Sequence, residues 1–470
     1  MGIGDITDGI ARRIEHAADE VTGIFQPVIR LGVTGLARAG KTVFITSLVA
    51  NLRERGRMPQ LLAEAEGRIL TAYLQPQPDD TIPRFDYENH LAALKAPEPH
   101  WPESTRSISQ LRLSLKVQAK GLMAAMSGPR VIHLDIIDYP GEWLLDLTLI
   151  GKSYGEWSDQ VIERASVANR ASLSKSWLAR LEDNDPAGEY YEAEAQELAR
   201  NYTGYLNAAR EAGLSGMTPG RFLMPGELEG SPVLTFCPLL RPDRKHRQTL
   251  YAEFERRFEA YKSRIAKPFF RNHFARIDRQ IVLVDVLGAI TAGPAALADL
   301  QDTMAEILTA FRPGKNHWLS ALIGRRVEKV LFAATKADHL HHSQHPKLTD
   351  TTAALLREAK ERAEFKGAGV GAISLAALRS TTEDRITHEG ERLDCVHGVL
   401  EGGETPRAVF TGDLPDDPAR LLLAAQSSRD WPKPRFIAQR FAPPVLVGKG
   451  FGLPHIRLDK AMEFLIGDRI

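Results

Sequence analysis

The sequence predicts an α/β fold, a mostly parallel sheet flanked by helices and interrupted by an inserted helical subdomain. Three observations carry that prediction. The first is GLARAGKT at 35–42, a G-x-x-x-x-G-K-T pattern. It stands between a β-branched run at 27–33 and a segment whose Val43, Phe44, Leu48 and Leu52 recur at helical spacing. The second is a strand–helix rhythm late in the chain. Apolar runs at 280–287, 327–334 and 370–375 alternate with helical segments at 295–311 and 348–365, as in a parallel sheet covered on both faces. The third is a helix-forming stretch at 156–214, broken at Asn184-Asp185-Pro186 and lying between core strands.

Bulk properties narrow the functional classes. At 470 residues the chain is one large elaborated domain or two to three units. Lys+Arg and Asp+Glu balance at 60 each, so no basic excess points to nucleic acid. Cys237 and Cys395 lie far apart without C-x-x-C spacing, which fits a reducing cytoplasm and excludes a Cys-based zinc site. No run reaches the ~18 apolar residues a transmembrane segment needs. Residues 1–26 carry an apolar stripe of Ile6, Ile10, Ile14, Ala17, Val21 and Ile24 among acidic neighbours, predicting an amphipathic helix docked on its own body.

Taken in order, the strand at 27–33 feeds a phosphate-binding P-loop. Gly35, Leu36, Ala37, Arg38, Ala39, Gly40, Lys41, Thr42 and Val43 would present backbone N–H groups and a helix N-terminus to a phosphate chain. Lys41 should reach the β- and γ-phosphates, and Thr42 should bind Mg²⁺. Residues 60–72 have helical apolar spacing, and the proline-loaded 75–102 reads as extended surface chain. Residues 110–118 alternate apolar and polar, and 131–138 is more buried, so the two predict an antiparallel pair. The second run ends in Asp138-Tyr139-Pro140-Gly141, a D-x-x-G. Asp138 stands where a Mg²⁺-water ligand belongs, and the Gly141 N–H can meet a γ-phosphate.

The strand at 327–334 ends in Thr335-Lys336-Ala337-Asp338. Acting only as an acceptor, Asp338 suits the N1–H and N2 amine of guanine, which adenine lacks. Lys336 would cover the ring face. In 374–379 (SLAALR) the Ala377 or Leu378 N–H is the candidate for the guanine O6. His339, His341, His342 and His345 cluster next, but with no carboxylate or Cys at ligand spacing beyond Asp338 itself they read as a solvated loop. The expected divisions are 1–26, the N-terminal helix; 27–155, the first part of the core; 156–230, the helical insertion; 231–380, the second part; 381–434, a polar excursion with short strands; and 435–470, a C-terminal segment packed on the core.

With these pieces in place, the chain resembles the YcjX-like family of bacterial P-loop NTPases, stress-associated and GTPase-related. GLARAGKT, WPEST (101–105), DYPGEWLLDL (138–147), PGRFLMPGEL (219–228), TKAD (335–338) and LPHIRLDKAMEFLIGD (453–468) carry the resemblance. It implies a G-protein-like core that binds GTP or GDP with Mg²⁺, with Thr105 as a further metal ligand. It also implies a cytoplasmic protein, often paired with an inner-membrane partner and acting in envelope or general stress. Glu142 follows Gly141, where many small GTPases carry a Gln that orients the attacking water. Slow intrinsic turnover is therefore expected, or dependence on an arginine, with Arg106 the first candidate and Arg84 the second. Two alternatives stay open: an ATPase of the same fold, and a nucleotide-stabilised scaffold with negligible turnover.

Overall fold

The computed structural model describes residues 26–36, 38–103, 107–120, 128–243, 247–310, 327–364, 369–427, 431, 437–446 and 452–470. The expected N-terminal helix therefore lies outside the described residues, as do Ala37, Thr105 and Arg106.

Among the described residues, seven strands form one sheet in the order β2-β3-β4-β1-β5-β6-β7. They are β1 (Val28–Gly35), β2 (Ile69–Gln75), β3 (Ser109–Val117), β4 (Arg130–Asp138), β5 (Arg279–Val284), β6 (Lys329–Ala334) and β7 (Gly369–Ser374). From β4 to β7 every pairing is parallel, whereas β2, β3 and β4 form an antiparallel edge. The antiparallel pair expected from 110–118 and 131–138 is thus β3 and β4.

Apolar runs without alternation belong to strands buried on both faces. In β5, Ile281 and Leu283 enter one core cluster while Val282 and Val284 enter the other. Against the first face pack α1 (Lys41–Glu54) and a C-terminal helix, α12 (Leu458–Ile466). The second face takes α3 (Glu142–Ile150) and the inserted helices α4 (Tyr154–Ala165), α5 (Ala168–Glu182) and α6 (Glu192–Glu211), with α7 (Leu250–Tyr261). The crossovers are α8 (Val286–Ala292) with α9 (Pro294–Ala310), and α10 (His345–Glu364).

Two local expectations need correction. Residues 60–72 form a single helical turn (Leu62–Ala65) followed by β2, which lies at the sheet edge with Leu70 and Tyr73 exposed. Pairing with β3 overrides the helical spacing there. The proline-rich stretch holds a true helix, α2 (Tyr87–Lys95). Its prolines stand at 76, 78 and 83 on one side and 97, 99 and 102 on the other, leaving 84–96 proline-free. In the excursion, β8 (Thr382–His388), β9 (Glu391–Val399) and β10 (Pro406–Val409) form a separate antiparallel sheet. A helix, α11 (Pro418–Ser427), follows it.

Asp146 on α3 joins the D-x-x-G segment to the insertion. Its carboxylate accepts from Tyr261 Oη at 2.5 Å and from the Gly220 N–H at 2.8 Å. Burial pushes its pKa from 3.8 up to about 6, against the pull of those two donors. A raised carboxyl pKa means the folded state holds the proton more tightly, so this contribution to stability is present at low pH. It is lost as pH rises from about 4 through about 6, by about 3 kcal/mol in total. Denaturant titrations should show the stability of wild type relative to Asp146→Asn falling across that window. A pH-independent difference would contradict the assignment.

Candidate functional site

The parallel strands put their C-terminal tips on one edge, where open α/β sheets bind ligands. Val33 of β1 pairs with Asp138 of β4, Gly35 with Leu283 of β5, and Ala334 of β6 with both Val284 and Ser374. The three predicted motifs therefore meet at that edge. They line one cleft of about 410 Å³, within the usual size of a small-ligand site.

At one end, β1 runs into α1 through the glycine loop. Gly40 is the N-cap residue at φ 75°, ψ 31°, a left-handed conformation that favours glycine. It supplies no side-chain cap, and a helix N-terminus of this kind suits an anion. Leu36, Arg38, Ala39, Lys41, Thr42 and Val43 line this end beside Gly35 and Gly40.

Gly141 lies against the loop's backbone. A Cβ there would stand 2.5 Å from the Gly35 carbonyl oxygen and 3.0 Å from the Leu36 nitrogen. Neither neighbour is a flexible side-chain tip, so the backbone itself would have to move. Gly141→Ala should cost about 1–3 kcal/mol and displace the loop; an unchanged melting temperature would show that the contact is slack.

Lys41 Nζ lies 3.0 Å from Asp138 Oδ1, and Asp138 is 1% exposed. Among the described residues, neither Asp138 oxygen accepts a directed hydrogen bond. Buried carboxylate oxygens are normally satisfied, so with Lys41 as its one ion-pair partner among the described residues this one suits a further cation. Next to it, the Thr42 hydroxyl donates to the Glu103 carbonyl at 3.4 Å, tying the loop to the 101–105 segment. Glu142, also lining the cleft, is 4% exposed. Burial pushes its carboxyl above the usual range, opposed by its own backbone N–H and by Lys41.

At the other end, Lys336 adopts a left-handed turn (φ 62°) after β6, and its ammonium pairs with Asp285 at the tip of β5. Asp285 also caps α8 by accepting from the Gly288 N–H at 2.9 Å. Asp338 is 3% exposed and lines the cleft with Thr335 and Lys336. Its Oδ2 accepts from the Ser380 N–H at 2.8 Å and the Ser380 hydroxyl at 2.5 Å. Ala377 and Leu378 line the same end. The flanking Ala376 and Arg379 amides donate to the Ile456 and Pro454 carbonyls.

Several contributors had no signal in the sequence. Arg440, Phe441 and Glu401 close the cleft from the far C-terminal region, and Met224 reaches it from the insertion. Trp101 donates its indole N–H to the Phe441 carbonyl at 2.9 Å, pinning the C-terminal strap to the 101–105 segment. Ser380 was within reach of inspection, since a hydroxyl six residues beyond β7 could serve a strand-tip carboxylate. Arg84 instead makes a forked pair with Glu88, at 2.6 and 2.7 Å, away from the cleft.

A sheet of this order, with its glycine loop after the central strand, is a P-loop GTPase-like fold. The chain belongs to the YcjX-like family, DUF463, whose profile matches residues 29–470. Among its relatives is a protein from Escherichia coli K12 named "Ras-like GTPase YcjX". It is 36% identical over 455 residues, covering 94% of this chain and 96% of that protein. A protein of the same name from Shewanella oneidensis is 33% identical over 468 residues, covering 94% of each chain. No helix among the described residues is long and apolar enough to cross a membrane.

Proposed function

We propose that this protein binds GTP and GDP with Mg²⁺ and hydrolyses GTP slowly, acting as a nucleotide-controlled switch. One observation carries the reading: the glycine loop and Asp338 line opposite ends of one cleft. Loop amides and Lys41 would hold the phosphates, while Asp338, with one oxygen fixed by Ser380, would accept from the guanine edge. The Ala377 or Leu378 N–H would meet the O6. The relatives' names support the same activity.

The donor set fits Mg²⁺. Asp138 offers two buried oxygens without directed hydrogen bonds, and the Thr42 hydroxyl stands at the start of α1. These residues would hold the ion, Asp138 through a water and Thr105 as a third contributor. The ion would neutralise charge developing on the β- and γ-phosphate oxygens. Lys41, paired with Asp138 in the ligand-free geometry, would turn to the phosphates, and the Gly141 N–H would meet the γ-phosphate.

Glu142 would orient the attacking water. Its carboxyl oxygen would accept from that water, and the amide oxygen of a glutamine at the same position would accept likewise. Glu142→Gln should therefore keep single-turnover hydrolysis within about tenfold of wild type, whereas Glu142→Ala should lose about 10²-fold or more. Equal losses in the two variants would rule out the water-orienting role. Arg106 would supply a cis arginine. Following the family resemblance, we assign the protein to the cytoplasm. It would reach the inner membrane through a partner, in envelope or general stress.

Nucleotide competition against labelled GDP tests the reading. GTP should displace the label at far lower concentration than ATP; equal displacement would favour an ATPase.

A further inference from the structure

The histidine cluster after Asp338, solvated loop by its sequence, is mostly buried in the fold: His339, His341 and His345 are buried, and His342 is exposed. The excursion sheet brings a carboxylate to it. His341 is 5% exposed, and its ring centroid lies 4.3 Å from that of His342. His342 Nδ1 is 2.7 Å from Glu383 Oε2, and His341 Nε2 is 3.9 Å from the same oxygen. One ligand atom from each of the three residues lies within 4.8 Å of the other two. Glu383 sits on β8, more than forty positions along the chain, which is why ligand spacing in the sequence did not disclose it.

From this geometry we infer that His341, His342 and Glu383 form a binding site for a divalent first-row transition cation, with Zn²⁺ the best match. Two imidazoles and one carboxylate are a recurrent zinc donor set, leaving a fourth position for water. Tetrahedral zinc with bonds of about 2.0–2.1 Å would separate its ligand atoms by about 3.3 Å. The widest pair need close by at most about 1.5 Å to reach that, while His342 and Glu383, 2.7 Å apart, open slightly.

The surroundings prepare the ligands. His341 Nδ1 lies 2.9 Å from Ser343 Oγ and 3.3 Å from Asp394 Oδ2, with the Ser343 N–H at 3.4 Å. Nδ1 accepts from the Ser343 N–H, so the ring proton sits on Nε2; when a cation binds Nε2 that proton moves to Nδ1, where Asp394 Oδ2 at 3.3 Å is placed to accept it, the arrangement that raises ligand basicity in metal sites. Arg379 Nη2, 3.6 Å from Glu383 Oε1, steadies the carboxylate from its other side. On binding, the cation takes the place of the hydrogen bond between His342 and Glu383, and the neutral His342 ring keeps its proton on the nitrogen that does not face the metal.

Position gives the site its significance. Ser380 bonds Asp338, and three residues later Glu383 meets the histidines three and four residues beyond Asp338. Thr381 Oγ1 also donates to the Asp338 carbonyl. The two segments thus run side by side, and the cation would add a second fastening beside the Ser380–Asp338 contact. It would stiffen the wall of the cleft on which Asp338 stands.

The test is calorimetric titration of Zn²⁺ into chelator-stripped protein without a histidine tag, comparing wild type with His342→Ala and Glu383→Gln. His342 has a 63% exposed side chain, so its removal should leave the fold intact, checked by an unchanged melting temperature in chelator. Wild type should bind one equivalent, undisturbed by excess Mg²⁺, and each variant should bind about tenfold or more weakly. Zn²⁺ should also raise the wild-type melting temperature but not that of the variants. Absence of binding by wild type, undiminished affinity in both variants, or displacement by Mg²⁺ would each overturn the site. None of these readouts involves nucleotide.

Discussion

Lys41→Ala is expected to reduce single-turnover GTP hydrolysis by about 10²–10³-fold, the loss typical of removing one charge-stabilising donor. The same substitution should alter the nucleotide-free protein. Lys41 Nζ is the cation 3.0 Å from Asp138, whose oxygens are buried without directed hydrogen bonds. Breaking a buried pair by removing one partner costs about 3–5 kcal/mol, because the remaining charge is left uncompensated. Lys41→Ala should therefore melt well below wild type, and adding Asp138→Ala should recover part of the loss. That recovery separates the pair's electrostatics from any general damage to the loop. Two additive losses would mean that the ion pair contributes nothing.

Asp338→Asn is expected to move base preference from guanine towards xanthine, which carries an oxygen where guanine has its N2 amine. Ser380 donates to Asp338 Oδ2 through both its N–H and its hydroxyl, and the Asn carbonyl oxygen can accept the same bonds. The amide NH₂ then faces the base and presents a donor where the carboxylate presented an acceptor. A site built to hydrogen-bond a group rejects a mismatched ligand strongly, by up to about 10⁴–10⁵. GDP affinity should therefore fall by at least about 10², with XDP gaining. Retained GDP affinity in Asp338→Asn would remove base reading from this residue.

Much of the cleft's lining was legible because the phosphate and base recognition proposed for it would each demand particular residues at strand tips. Gly40 is needed for a left-handed N-cap and Gly141 for contact with the Gly35 carbonyl, and both requirements surface as motifs. Parallel strands buried on both faces read as continuous apolar runs, so β5 and β6 were visible without a partner. The less legible parts depend on long-range neighbours. β2 is a strand because β3 lies beside it, despite its helical spacing. Phe441 and Arg440 reach the cleft across the fold without any local pattern. The histidines looked solvated because Glu383 and Asp394 come to them only through the separate sheet.

The central claim is that one molecule is gripped at both ends, by the loop amides with Lys41 and by Asp338. Paired calorimetric titrations of GDP and ADP, with Mg²⁺, into the folded protein test it most directly. The two ligands share a diphosphate and differ in the base. GDP should bind with one-to-one stoichiometry and at least about 10²-fold more tightly than ADP. Equal affinities, or no binding of either, would contradict the account.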